Sequence, residues 1–135
     1  MSATATGGVL LLVEDDESIG RLVKAYLEQQ DGWRVVWLRS GEEAVAELRR
    51  HPVRLVVLDI GLPGISGYDV ARQVRSSSWG NHTRIVALTG WGNADDRVRS
   101  KEAGIDQHLV KPVQPGALMA LLTELRDTSR GLERA

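Results

Sequence analysis

Five times along this chain a short apolar run gives way to a longer amphipathic stretch, a rhythm that few architectures accept. The apolar runs are Val9–Val13, Trp33–Leu38, Val53–Leu58, Arg84–Leu88 and Ile105–Val110. The first is apolar throughout, as a strand buried on both faces requires, and the fifth is the least uniform. The intervening stretches carry helical spacing. After Asp16, a natural N-cap, come Ile19, Leu22, Val23, Tyr26 and Leu27 on one helical face, with Gly32 breaking the chain beyond. Ser40 and Glu43 form a capping box ahead of Ala44, Val45 and Leu48, and Pro52 marks that helix's end. Ser66 and Asp69 offer a second box ahead of Val70, Ala71 and Val74, followed by a loop from Ser76 to Asn81. Asn93–Ala103 has a thin apolar side (Ala94, Val98, Ala103) and stops at Gly104. Pro115 opens a last helix striped with Leu118, Leu121, Leu122 and Leu125.

Strands alternating with helices predict an α/β chain with a parallel sheet covered on both faces. The length of 135 residues suits one domain with a real core, and no internal repeat is visible. Residues 1–7 and 127–135 are small or polar and read as flexible tails, leaving 8–126 as the domain. A net charge of −1 implies no broad pull toward nucleic acid or anionic membrane. The absence of cysteine excludes disulfides and thiolate metal sites. No apolar run is long enough to span a bilayer, and Val9–Val13 lacks a basic leader and runs into three acids, so the expected location is cytoplasmic.

In an open sheet of this kind, ligands bind beyond the carboxyl ends of the strands. Four chemically distinctive signals fall at such ends: Glu14-Asp15-Asp16, Asp59 before Ile60-Gly61-Leu62-Pro63-Gly64, Thr89, and Lys111-Pro112. Glu14, Asp15 and Asp59 converge if the first and third strands are neighbours, and like charges at that distance raise one another's pKa. A hard divalent cation relieves the repulsion, and Mg²⁺ prefers an octahedron of oxygens. The Gly61 carbonyl is placed to join it. With Mg²⁺ and Lys111 the charges sum formally to about zero. That balance suits a site receiving a dianionic group on a carboxylate nucleophile, Asp59, with Lys111 and the Thr89 hydroxyl on non-bridging oxygens. Gly90 and Gly92 leave the loop around Trp91 free to follow.

Four segments together resemble the receiver domain of two-component response regulators. They are Leu11–Asp16, Leu58–Gly67, Ala87–Gly90 and Leu109–Pro112, within a resemblance that covers about residues 8–126. The resemblance implies a (βα)5 doubly wound, flavodoxin-like fold with strand order 2-1-3-4-5. It also implies Mg²⁺ at Glu14, Asp15, Asp59 and the Gly61 carbonyl, and phosphorylation of Asp59 by a histidine kinase or histidine phosphotransfer protein. A cis Lys111–Pro112 bond is common in such proteins. Glu14 stands where aspartate is more usual, and His108 occupies a switch position usually held by Tyr or Phe. Trp91, two residues after Thr89, is bulky enough to shield an acyl phosphate and slow its hydrolysis. Asp106–Pro112 resembles receivers attached to hybrid sensor kinases, or regulators derived from them.

The expected function is a phosphorylation switch with a protein as its output, carried by the segment Gly90–Gly104, His108 and the last helix. A magnesium-dependent aspartyl-phosphate phosphatase is disfavoured, because an acid–base carboxylate is needed two residues beyond the nucleophile and Gly61 sits there. A phosphorylation-independent interaction module on the same fold is the other alternative, and so is the receiver part of a longer protein. No DNA-binding helical pair follows the last strand, and no direct contact with nucleic acid or insertion into a membrane is expected. Arg49-Arg50-His51 reads as a solvated helix end, Trp33 and Trp37 as packing, and the three histidines lack metal-ligand spacing.

Overall fold

The computed structural model describes residues 8–29, 33–51, 53–78, 82–90 and 94–134, with the backbone alone for 94–96 and 125–134. Ten elements alternate: β1 (Gly8–Val13), α1 (Glu17–Glu28), β2 (Trp33–Leu38), α2 (Gly41–Arg50), β3 (Leu55–Asp59), α3 (Gly67–Arg75), β4 (Arg84–Thr89), α4 (Ala94–Ala103), β5 (Gln107–Val110) and α5 (Pro115–Arg134). The strands form one parallel sheet in the order β2-β1-β3-β4-β5, as the resemblance implies. The register sets Val13 beside Leu58, Asp59 beside Leu88 and Thr89 beside Val110, so the strands run out at one level.

The alternation of side chains along each central strand divides the core in two. Leu11, Val13, Val56, Leu58, Ile85 and Ala87 face α2 and α3, while Leu10, Leu12, Leu55, Val57, Val86 and Leu88 face α1 and α5. Trp33 and Trp37 pack on the second cluster, as expected. Local signals account for most helix ends. Asp16 caps α1 by accepting from Ile19 N at 3.0 Å, and Ser66 with Asp69 makes the reciprocal box expected at α3. The box at α2 is only half formed. Ser40 Oγ accepts from Glu43 N, but Glu43 Oε1 turns to Arg39 N rather than to the cap. Gly104 has φ 92°, a conformation glycine adopts without strain, and it ends α4 as expected.

Several packing expectations are corrected. Leu22 is 46% exposed, because α1 rolls to bring Gly20 against the Trp37 ring and the buried face becomes Gly20, Val23 and Leu27. Val98 is 55% exposed, and among the described side chains of α4 the buried ones are Ser100 and Ala103. The third strand begins at Leu55 and the fifth at Gln107, both later than the apolar runs suggest. The last helix runs to Arg134, through residues expected from the sequence to be a flexible tail. The tail at residues 1–7, the break at Gly32, the stop at Pro52, the loop at 79–81 and the features placed on Trp91 and Gly92 lie outside the described residues, as does the Leu125 side chain.

Candidate functional site

The signals arrive at the ends of strands: β3 is buried throughout, β4 is buried from Ile85 on, and β5 is only partly buried, with Val110 exposed. Glu14 follows β1 and is 0% exposed. Its N–H donates to Leu38 O on β2, and its own carbonyl accepts from Trp37 Nε1 at 3.0 Å. Asp59 ends β3 at 5% exposure and Thr89 ends β4 at 7%. Lys111 follows β5, with its N–H donating to Thr89 O at 2.8 Å and a cis bond to Pro112. On the nucleophile side, Gly67 at the start of α3 donates to Ile60 O. A Cβ at Gly67 would lie 2.6 Å from Asp59 O, so only glycine fits there; at Gly61 a Cβ would meet nothing within 4 Å.

The side chains converge. Lys111 Nζ lies 3.0 Å from Glu14 Oε1 and 3.1 Å from Asp59 Oδ1, and Gly61 N donates to the same Asp59 oxygen at 3.2 Å. Carboxylate oxygens of Glu14, Asp15 and Asp59 fall within 4.8 Å of one another, with Asp15 exposed. The neighbourhood of β1 and β3 therefore brings together the acids that the sequence placed at the two strand ends. Burial pushes the Glu14 carboxyl up to about 7. The Asp16 N–H opposes that, the Asp59 charge adds to it, and Lys111 opposes it. For Lys111, burial works against the ammonium, but its contacts with Glu14 and Asp59 outweigh that and raise it above its ordinary value.

The donor set fits a magnesium ion. Three hard oxygen donors stand within reach of one centre, which is the chemistry Mg²⁺ selects. Glu14 Oε1 is buried and makes no aligned hydrogen bond, despite its 3.0 Å ion pair with Lys111. One ammonium thus neutralises part of the charge of three carboxylates, and a divalent cation would supply the remainder.

Beside the acids opens a cleft of about 350 Å³, lined by Asp59, Gly61, Thr89 and Lys111 together with Tyr68 and Arg99. The cleft and the acidic cluster share Asp59 alone. Sequence reasoning missed Tyr68 and Arg99. Their meeting depends on how α3 and α4 pack, and the only hint was that α4 has too little apolar surface to be explained by burial. His108 is half-buried on β5 opposite Ala87 and does not line the cleft. Trp91 lies outside the described residues. Arg49, Arg50 and His51 are exposed at the end of α2, as expected of a solvated terminus.

Comparison with known proteins agrees with this architecture. Residues 10–123 match the response regulator receiver domain family. The transcriptional regulatory protein AfsQ1 of Streptomyces coelicolor is 40% identical over 111 residues, which is 82% of this chain and 48% of that protein. ResD of Bacillus subtilis is 35% identical over 124 residues, covering 89% of this chain and 50% of that one. The chain thus spans about half the length of these curated relatives. Among solved structures, chemotaxis response regulator CheY4 of Vibrio cholerae superposes with a TM-score of 0.83 at 28% identity, covering 89% of this chain and 99% of that one. The receiver domain of sensor histidine kinase PA1611 from Pseudomonas aeruginosa, solved with a magnesium ion coordinated in its active-site cleft, gives 0.81 at 30% identity, covering 89% and 98%. No described helix is long and apolar enough to cross a membrane. With the family match spanning most of its length and the fold and acidic pocket in agreement, the chain belongs to the response regulator receiver domains, the signalling modules of two-component systems.

Proposed function

We propose that this chain is a phosphoacceptor switch. Asp59 takes a phosphoryl group from a histidine kinase or histidine phosphotransfer protein, with Mg²⁺ held by Glu14, Asp15, Asp59 and the Gly61 carbonyl. The observation that carries the reading is the gathering of Asp59 with two other carboxylates, with the Lys111 ammonium 3.1 Å from Asp59 and 3.0 Å from Glu14. When bound, the cation supplies positive charge that lets the carboxylates coexist with an incoming dianion.

The chain's own residues supply the rest. Asp59 Oδ1 is engaged by Gly61 N and Lys111 Nζ, which assigns the attack to Oδ2. That oxygen forms a bond to phosphorus as the bond from phosphorus to the donor breaks. A phosphohistidine protonated on its second ring nitrogen leaves as neutral imidazole, and an acyl phosphate leaves as a carboxylate. In both cases the leaving group keeps the electron pair and takes no proton from the chain. Lys111 and the Thr89 hydroxyl hold non-bridging oxygens, the positioning that dominates this class of reaction. The Lys111 N–H bond to Thr89 O then couples the ends of β4 and β5, and the face of α4, β5 and α5 is the protein-binding output.

The deciding experiment is intact-mass analysis after incubation with Mg²⁺ and acetyl phosphate. The expected result is a gain of one phosphate that Asp59→Asn abolishes. An unmodified wild type, or a modified Asp59→Asn, sinks the reading.

A further inference from the structure

We propose that Arg99 is a second cationic contact for the phosphoryl group, presented to the site by the Tyr68 ring; this rests on the phosphoacceptor reading above. The cleft that opens beside Asp59 is lined by Lys111 and Thr89 together with Arg99 and Tyr68. The acids Glu14 and Asp15 do not line it, whereas two cations do: Lys111, which also reaches Glu14 at 3.0 Å, and Arg99. A phosphoryl group on Asp59 that enters this cleft would have both cations in its lining.

The Arg99 guanidinium carbon lies 4.6 Å from the Tyr68 ring centroid. Tyr68 is 5% exposed and belongs to the capped first turn of α3, next to the Gly67 backbone that abuts Asp59, so the platform is fixed relative to the nucleophile. A guanidinium laid on an aromatic face can keep its N–H edge for a planar pair of oxygens. Elsewhere, Arg72 is committed to Asp69, Arg75 to Asp106 and Arg84 to Asp106. Among the described residues no carboxylate pairs with Arg99, which contacts the Tyr68 ring. The backbone that carries it is anchored, since the neighbouring Ser100 and Ala103 are 0% and 2% exposed. A phosphoryl oxygen bound by Arg99 therefore ties α4 directly to the modification, without passing through a strand.

The test follows phosphorylation of the full chain by acetyl phosphate at saturating Mg²⁺, read by intact mass over time. A charge-assisted contact of this type predicts that Arg99→Ala lowers the second-order rate constant by about tenfold, that Arg99→Lys recovers a substantial part, and that Tyr68→Leu falls between them. Mg²⁺ affinity, measured by calorimetry, is expected to stay unchanged in all three variants. Equal rates for wild type and Arg99→Ala would overturn the inference while leaving the phosphoacceptor reading intact. Arg99→Lys as slow as Arg99→Ala, with Mg²⁺ affinity falling in parallel, would also overturn it, because the arginine would then be a packing element. A wild type that gains no phosphate at all removes the parent reading, and this inference with it.

Discussion

At the amino end of the sheet, one carboxylate is surrounded by donors; at the carboxyl end, one ammonium is surrounded by carboxylates. Asp106 Oδ2 accepts from Arg75 Nη2 at 2.7 Å and from Ile85 N at 2.8 Å, while Asp106 Oδ1 lies 3.6 Å from Arg84. The same Arg75 also donates to Gly104 O at 2.8 Å and Thr83 O at 2.7 Å, joining α3, the end of α4 and the start of β4. Both oxygens of Asp106 meet cations inside the chain, although Arg84 Nε is buried without a hydrogen bond. Glu14, Asp15 and Asp59, by contrast, have among the described residues one ammonium, Lys111, to set against three carboxylates, beside the Asp16 and Gly61 N–H groups. The same fold closes its charge at one end and leaves a deficit of positive charge at the other. A divalent cation would fill that deficit.

The contrast can be broken most forcefully at the closed end. Asp106→Ala strands the partly buried Arg75 and the Ile85 N–H, and about 3 kcal/mol of stability is expected to go, read by urea unfolding. A loss near zero would mean that the network is ornamental. At the open end, the support beneath Glu14 is next. A Cβ on Gly20 would lie 2.1 Å from the Trp37 ring whose Nε1 holds Glu14 O. Gly20→Ala is expected to cost about 2 kcal/mol despite alanine's better helix propensity, and to weaken Mg²⁺ binding as well.

Removing charge from the two ends should have opposite signs. Asp59→Asn takes one carboxylate out of a crowded cluster while leaving Lys111 its contact with Glu14, and a gain of about 1 kcal/mol is expected in metal-free protein. If Asp59→Asn destabilises the metal-free chain instead, the open end is not strained. The pH dependence sharpens the same point. Glu14 is raised from 4.5 to about 7, so between those values the folded chain binds more protons than the unfolded one. Its contribution to stability is fully present below pH 4.5 and is lost as pH rises through 7. Lys111, raised from 10.5, keeps its contribution across that window. Metal-free protein is therefore expected to show a falling urea midpoint from pH 5 to 8, and a flat midpoint would contradict the assigned burial of Glu14. The smallest effect concerns α4: Ser100 Oγ is buried without a hydrogen bond, and Ser100→Ala is expected to gain about 0.5–1 kcal/mol.

The open end was largely legible from residue order, and the closed end was not. Strands buried on both faces announce themselves as unbroken apolar runs, so β1, β3 and β4 were visible, and with them the positions of Glu14, Asp59 and Thr89. The α2 and α3 faces followed because Ala44, Val45, Leu48, Val70, Ala71 and Val74 have no competitor at other angles. Leu22 and Val98 were misplaced because periodicity weighs side-chain type and cannot weigh the partner. The Trp37 ring occupies the space above Gly20 and turns α1, and α4 buries a serine and an alanine because it sits close to its neighbours. Arg75, Asp106, Tyr68 and Arg99 carry ordinary surface letters. Only helix-to-helix placement makes two of them a clamp and two of them a wall of the cleft.

Two glycines six positions apart bracket the loop after Asp59, and they set opposite rules for change. Gly61 faces open space, whereas any Cβ at Gly67 runs into the main chain of Asp59 and Ile60. A saturation library selected for folded protein should therefore return nearly the whole alphabet at the first position and a single letter at the second. Variation that adjusts the chemistry without moving the nucleophile has one doorway in this loop, and it is the nearer glycine.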